Sequence, residues 1–345
     1  MAAINNEIEN IRNRCQDYES TVHALIAFSA LIVHDGRQIR EGAHFGIGRK
    51  MLTSSENVIL PSSSVTPDVT AQRGKGYGIV GDVKRSLSKE QDQWGEHLEQ
   101  LRKYDDRLRG WWTSTEFIEA ANTAFIVHQT RSRAFVRYLE KQKNVNSNLV
   151  GPNSVVIEFN QSTEANVYMF FRLEWGTLVD LGLSASLGNG VAVPLETVLE
   201  SFSSVRFYDT PPPLPLTLLY LWTDLFPAMA DPSNYDEQLR AIPLIASVDE
   251  ITKELRRAYG SGALERDSRS AEFPRMNWIR DALETLVAAK LAVPKNGDSY
   301  TVLYRPFRED VLTRFIEIVA KAKGKEKIES AQTTLLLDSE EQKED

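Results

Sequence analysis

A chain reversal written into residues 64–84 constrains this protein more than any other stretch. Ser64 to Ala71 reads as a strand opened by Pro67, Tyr77 to Lys84 reads as a second strand, and Arg73-Gly74-Lys75-Gly76 between them supplies a flexible turn. The two segments predict a hairpin. With the turn centred on Lys75, the register places Asp68 opposite Asp82, where cross-strand β-carbons lie about 4.5–5.5 Å apart. Strand alternation points Asp82 and Lys84 to one face and turns Val83 to the opposite, buried one.

Two opposed carboxylates repel unless a cation lies between them. A hard dication such as Mg²⁺, which takes a few carboxylate oxygens and keeps several waters, is the natural third party. Asp68 and Asp82 are then the expected metal ligands, with the Val83 carbonyl as a third, and Mn²⁺ is an alternative ion. Lys84, on the same face, can reach what the metal holds. It would orient a nucleophilic water or offset charge developing on phosphorus, and this is the chemistry of phosphodiester hydrolysis. An ordinary edge hairpin with solvated carboxylates would carry the same residues, so the surrounding order of elements has to decide. The glycines at 74, 76, 78 and 81 lack the Gly-Lys-Ser/Thr ending of a P-loop and open no helix. They are read as turn chemistry.

That order is strand, strand, helix, strand, helix. After Lys84, Glu90 to Leu108 carries Trp94, Leu98, Leu101 and Leu108 at helical spacing and contains Gln100-Leu101-Arg102-Lys103-Tyr104. Thr123 to His128 reads as a buried strand and Ser132 to Lys141 as the next helix. Upstream, Asp17 to His34 presents Val22, Leu25, Ile26, Ser29 and Leu31 on a helical face. Pro67-Asp68 followed by Asp82-Val83-Lys84 in this setting resembles the active-site signature of the PD-(D/E)xK nuclease superfamily, and the Gln-Leu-x-x-Tyr-like stretch resembles many of its members. The resemblance covers about half of the chain. It implies a restriction-endonuclease-like α/β core, a central mixed sheet flanked by helices, acting on DNA with Mg²⁺. In many members the first helix donates a further acid, for which Glu19 is the candidate here and Glu41 the alternative. The chain departs from the commoner pattern in having Asp82 where glutamate is more frequent, and the shorter side chain makes metal distance depend more on strand position.

With 345 residues, 42% of them hydrophobic and 26% charged, the chain can bury a sizeable core and divide into modules. No apolar run approaches the roughly 20 residues needed to span a bilayer, and the start lacks a basic region leading into an apolar core, so a cytoplasmic location is expected. A single cysteine, Cys15, excludes an intrachain disulfide and a thiolate zinc cluster. The net charge of −8 argues against a protein that coats DNA through bulk charge. Local clusters matter more: Arg131 and Arg133 open a predicted helix and are candidate phosphate contacts, with a solvated helix face as the alternative.

Beyond Asn153 the character changes. Ser154 to Phe159 and Val167 to Leu173 read as further strands that could complete the sheet, with the core ending near residue 190. Pro194 to Phe202 reads as helical. Thr210-Pro211-Pro212-Pro213-Leu214-Pro215 is a stiff spacer, and Leu216 to Met229 a buried helix. Residues 191–244 therefore form a connecting helical and Pro-rich region. Helices at Val248–Leu255 and Met276–Lys290, then strands flanking Asn296-Gly297, suggest a winged-helix-like module over 245–323. From 250 to 323 there are 14 Lys and Arg against 11 Asp and Glu, a local excess of +3. Arg275, Arg280 and Lys295 are its candidate DNA contacts, although such modules also dock proteins, and a partner or a homodimer through this half is the alternative. Residues 324–345 read as a flexible acidic tail.

The expected protein is thus a Mg²⁺-dependent endonuclease with its nuclease-like domain at 1–190, by analogy serving restriction or antiviral defence. A noncatalytic DNA-binding or adaptor subunit that retains the core as a scaffold is the competing expectation.

Overall fold

A computed structural model gives the fold of the protein. It describes residues 2–35, 38–52, 64–74, 76–85, 87, 94–104, 108–112, 118–145, 151, 153–162, 168–194, 205–259, 273–307 and 310–322. Contacts divide the chain into two units. One comprises Glu19–Thr210 with Arg256–Phe273, and the other Met1–Tyr18, Pro211–Leu255 and Pro274–Asp345.

The first strands, β1 (His34–Asp35) and β2 (Gln38–Ile39), form a small ladder of their own, as do β4 (Met51–Leu52) and β5 (Ser64–Val65). The large sheet of the first unit contains β3 (Ala43–Ile47), β6 (Val69–Arg73), β7 (Tyr77–Lys84), β8 (Ala120–His128), β9 (Ser154–Ser162), β10 (Tyr168–Trp175) and β11 (Val191–Pro194). Their spatial order is β11-β10-β9-β8-β7-β6-β3. The β7/β8 and β8/β9 pairs are parallel and the others antiparallel, so the sheet is mixed. Chain connectivity explains the pattern. The reversal at Gly74 (φ 71°) can only return the strand antiparallel, whereas each parallel step needs a crossover, supplied by the segments containing α2 (Trp94–Leu101) and α3 (Gln129–Val145). The expected order of strand, strand, helix, strand, helix is present, and β9 and β10 extend it. Two features differ from the expectation. The edge strand β3 was not anticipated, and β11 carries the sheet past residue 190 by pairing with β10.

The ladder from Arg73↔Tyr77 to Val69↔Gly81 has the register expected from a turn centred on residue 75. Two of its glycines answer to packing. A β-carbon on Gly81 would lie 2.1 Å from the Ala124 carbonyl oxygen of the next strand, and one on Gly78 would lie 2.5 Å from the Trp111 ring.

Both faces of the sheet are covered. On one, Val80, Phe125, Val127 and Val156 pack with Trp94 and Leu98 of α2 and Phe135 and Leu139 of α3. Trp94 and Phe125 each meet Phe135 at ring separations of 5.6 and 5.0 Å. On the other face α1 (Ala2–Val33) packs, with Phe28 against Phe171 at 5.6 Å. This helix begins well before Asp17. Ala24 to Ser29 are all at most 1% exposed, so it is enclosed rather than striped. Ser29 satisfies its buried hydroxyl on the Ile26 carbonyl at 2.8 Å. The helix α4 (Leu181–Asn189) is capped by Asp180, which also pairs with Arg73 at 2.7 Å. The expected helix at Pro194–Phe202 lies, apart from Pro194 in β11, outside the described residues.

In the second unit Leu216–Met229 is helical as expected, in three pieces: α5 (Leu214–Tyr220), a π-turn at Leu221–Leu225, and α6 (Phe226–Met229). Pro213 caps it in an extended conformation and Pro215 sits in its first turn, where a missing N–H costs nothing. Trp222 anchors an aromatic cluster, stacked on Phe307 at 4.9 Å and edge-on to Phe226 and Phe315, with its indole N–H donating to the Arg305 carbonyl. The strands β12 (Ile242–Ser247), β13 (Ala292–Pro294) and β14 (Ser299–Tyr304) form a sheet of order β12-β14-β13. The helices α7 (Val248–Tyr259) and α8 (Met276–Ala288) lie between β12 and β13 in sequence, and residues 311–322 are helical. The expected hairpin is present with Gly297 at φ 67° in its turn, and β12 is an addition to it. Residues 324–345 lie outside the described residues.

Candidate active site

The register of the β6/β7 hairpin carries Asp68 and Asp82 to the same level at its open end. Here regular pairing gives way to contacts made by the carboxylates themselves. The Asp68 amide donates to Asp82 Oδ1 at 3.4 Å, and the Val83 amide donates to Asp68 Oδ2 at 2.8 Å. The Tyr104 hydroxyl donates to Asp82 Oδ1 at 3.0 Å, and the backbone of Tyr104 is held by the Thr123 hydroxyl at 2.6 Å. Asp82 is fully buried and Asp68 4% exposed. Asp82 Oδ2 is buried without a hydrogen-bond partner.

Lys84 lies on the same face as Asp82. Its ammonium is 3.7 Å from Asp82 Oδ2 and 4.0 Å from Asp68 Oδ2, and its side chain is 23% exposed. Burial raises the pKa of Asp68 above the ordinary carboxylate value; Lys84 opposes this and Asp209 adds to it. Burial likewise raises Asp82, with the charge of Asp68 adding to the effect. For Lys84 burial works against the ammonium, but Asp68, Asp82 and Asp209 outweigh it and hold the lysine charged. Burial thus works against the charged form of both carboxylates even with the lysine in place.

Three further residues belong to this neighbourhood and were not assigned by sequence reasoning. Tyr104 ends the Gln-Leu-x-x-Tyr-like stretch, so a signal for it was present. His97, on α2, feels the charges of Lys84 and Asp82, and burial lowers its pKa. The charge of Asp209 acts on Asp68 and Lys84 from more than a hundred residues downstream, and no local pattern marks it. Beside Tyr104 a groove of about 380 Å³ is lined by Ser64, Val65, Thr66, Glu96, Glu99 and Lys103.

The other expected site residues fall elsewhere. Glu19, on α1, is raised by burial, and the charge that acts on it is Arg206. Its charge is not among those acting on Asp68 or Asp82, so the structure does not bring it into the pair. Glu41 is exposed in the turn ahead of β3. Val83 contributes its amide to Asp68 and buries its side chain on the opposite face, as alternation requires. Arg131 stands in the first turn of α3 and Arg133 just past it, because the helix starts three residues earlier than expected. Between them Ser132 is buried and donates to the buried Glu158, which Arg172 also approaches at 3.5 Å. A carboxylate thus already occupies this end of the helix, a placement that competes with a phosphate there.

In the second unit, Arg275 caps α8 and lies 6.0 Å from the Trp278 ring. Arg280 makes a bidentate pair with Asp298 in the hairpin turn, at 2.7 and 3.2 Å. Lys295 is exposed beside the same turn.

Among the described residues no three His, Cys, Asp or Glu side chains already stand in metal-holding geometry. The acid pair is nonetheless compatible with Mg²⁺, which is commonly held through one or two carboxylates, waters and substrate phosphate. Asp82 Oδ2, which has the Lys84 ammonium at 3.7 Å but no hydrogen bond, is the oxygen such an ion would use. Among the described residues no helix is long and apolar enough to cross a membrane. The sequence matches no protein-family model, and no curated protein and no solved structure shows significant similarity to it.

Proposed function

We propose that this chain is a Mg²⁺-dependent nuclease of the PD-(D/E)xK kind that hydrolyses DNA phosphodiester bonds. The observation that carries the reading is the convergence of Asp68, Asp82, Lys84 and Tyr104 at the open end of the β6/β7 hairpin, with one buried carboxylate oxygen left without a hydrogen bond. Asp68 and Asp82 would hold the ion. When bound, it supplies a polarised phosphoryl oxygen and a water of lowered pKa. Lys84 keeps its proton and offsets negative charge on the reacting phosphate, while Tyr104 fixes the rotamer of Asp82.

A winged-helix reading of the second unit is part of the proposal. Helix, strand, two helices and a β13/β14 hairpin whose second strand also pairs with β12 support it. Arg275 and Lys295 are the contacts it offers to DNA or to a protein partner, and restriction or antiviral defence is the setting that analogy suggests.

Incubation of linear, circular and single-stranded DNA and of RNA with the purified chain tests this reading. Cleavage of DNA is expected with Mg²⁺ or Mn²⁺, none with EDTA, and none from Asp82→Ala. The burial of both aspartates favours one competitor, a DNA-binding or adaptor subunit in which the core is only a scaffold. That competitor predicts DNA or partner binding with no cleavage and no response to the ion.

A further inference from the structure

Three flat side chains are gathered beside the segment that delivers Asp68. The ring of His44, on the edge strand β3, stacks on that of Trp112 with centroids 5.4 Å apart and planes 9° from parallel. The Arg49 guanidinium also lies against Trp112, 3.9 Å from the ring centroid. Gly48, just ahead of Arg49, donates its amide to the Asp68 carbonyl at 3.1 Å, and Met51 pairs with Val65. The group is thereby tied to the stretch that runs into the hairpin acids.

Its geometry is fixed from below. Arg49 is fully buried, and its Nε and Nη2 both donate to the Gly110 carbonyl, at 2.9 and 2.7 Å. The Trp112 amide donates to Gln72 Oε1 at 2.9 Å, and buried Gln72 stands directly across the β3/β6 ladder from His44. Trp112 is half-buried and His44 exposed. Removing an arginine from water is costly, and what this one fixes is an aromatic surface that reaches solvent. Partial burial, and then the charge of Arg49, lower the pKa of His44, so its ring is uncharged at neutral pH.

Cations stand at the margin. Lys50, which follows Arg49, is exposed, and so is Arg109, which two backbone hydrogen bonds join to Leu52. A solvent-facing ring backed by a second one, with cations beside it, is the arrangement on which single-stranded bases stack while their phosphates are neutralised. Bases inside a duplex already stack on one another and cannot use it.

We infer that His44, Trp112 and Arg49 form a stacking platform for an unpaired base of a DNA strand, with Lys50 and Arg109 contacting the adjoining phosphates. The inference rests on the DNA-directed reading above and names its substrate class, DNA that carries a single-stranded segment.

Fluorescence anisotropy in EDTA, where no cleavage is expected, tests the platform with two labelled strands of equal length. One is oligothymidylate, and the other is an abasic strand with the same phosphates and no bases. Wild type should bind oligothymidylate at least about fivefold more tightly than the abasic strand. His44→Ala should remove most of that preference without changing the abasic affinity, and His44→Phe should restore it. His44 is exposed, so both variants should keep the wild-type thermal transition. A wild type without the preference, or His44→Ala that retains it, overturns the platform. His44→Phe as weak as His44→Ala also overturns it, because the imidazole would then act through a hydrogen bond. Mg²⁺-dependent cleavage by the same preparations keeps the two readings apart. Cleavage without base-dependent binding removes the platform alone, whereas base-dependent binding without cleavage removes the nuclease reading alone.

Discussion

Two ion pairs in this molecule are built in opposite ways. In the second unit Arg280 meets Asp298 through two short bonds on an exposed surface, where side-chain entropy and water cancel most of the attraction. At the β6/β7 hairpin Lys84 sits at 3.7 and 4.0 Å from two carboxylates that are almost wholly removed from water. The first has good geometry and small consequence. The second has loose geometry, a carboxylate oxygen without a hydrogen bond and raised carboxylate pKa values, a local conflict of the kind that functional sites carry more often than structural ones.

The widest separation of the two should come from activity. Asp82→Ala and Lys84→Ala are each expected to lower Mg²⁺-dependent DNA cleavage by at least about a hundredfold, in line with removal of a residue that stabilises transition-state charge. Circular dichroism should show an unchanged fold. Cleavage at wild-type rates by either variant would move the chemistry away from the hairpin.

Next in size is the dependence of stability on pH without metal. A carboxyl whose pKa is raised by folding binds protons more tightly in the native state than in the unfolded one. Its stabilising contribution is complete below the ordinary carboxylate value of about 4 and is lost as pH rises through the raised folded value. Urea titrations in EDTA should therefore show wild type losing stability from pH 5 to pH 8 by more than Asp82→Asn does.

Tyr104→Phe removes one hydrogen bond to a buried carboxylate, an interaction worth about 1.5–3 kcal/mol when one partner is charged. It should weaken Mn²⁺ binding by roughly tenfold or more, since 1.4 kcal/mol is a factor of ten. Unchanged affinity would reduce Tyr104 to packing.

The smallest effect belongs to the exposed pair. Asp298→Ala should leave thermal stability nearly unaltered and release Arg280. If the second unit contacts DNA there, binding should tighten and the slope of log affinity against log salt should steepen by about one unit. No change in either quantity would remove Arg280 from the interface.

The sequence shows clearly what depends on local pattern. The hairpin register follows from a turn centre and alternation, and the ladder runs as those two facts require. The crossover order was visible because α2 and α3 each carry an apolar stripe between strands. What stayed hidden was made by distant partners. Strand β3 is short, with Gly46 inside it, and only its pairing with β6 gives it meaning. Asp209 follows a buried aromatic pair and precedes a proline run, with nothing nearby to suggest that its charge acts on Asp68. Glu19 was chosen for its position on the first helix, but Arg206 is the charge it meets. Arg280 looked free for DNA because Asp298 lies 18 residues away, across a turn. Pairings of this kind are decided by the tertiary fold and leave no period in the chain.

If the buried acid pair is retained for a cation, it destabilises the fold by itself. Equilibrium unfolding of wild type and Asp82→Asn, first in EDTA and then in saturating Mg²⁺, tests it most directly. The variant should be the more stable protein in EDTA. With Mg²⁺ at a hundred times its dissociation constant, wild type should gain about 2.7 kcal/mol and the variant little. If instead the variant is the less stable protein in EDTA and Mg²⁺ shifts neither, the pair is structural and holds no cation.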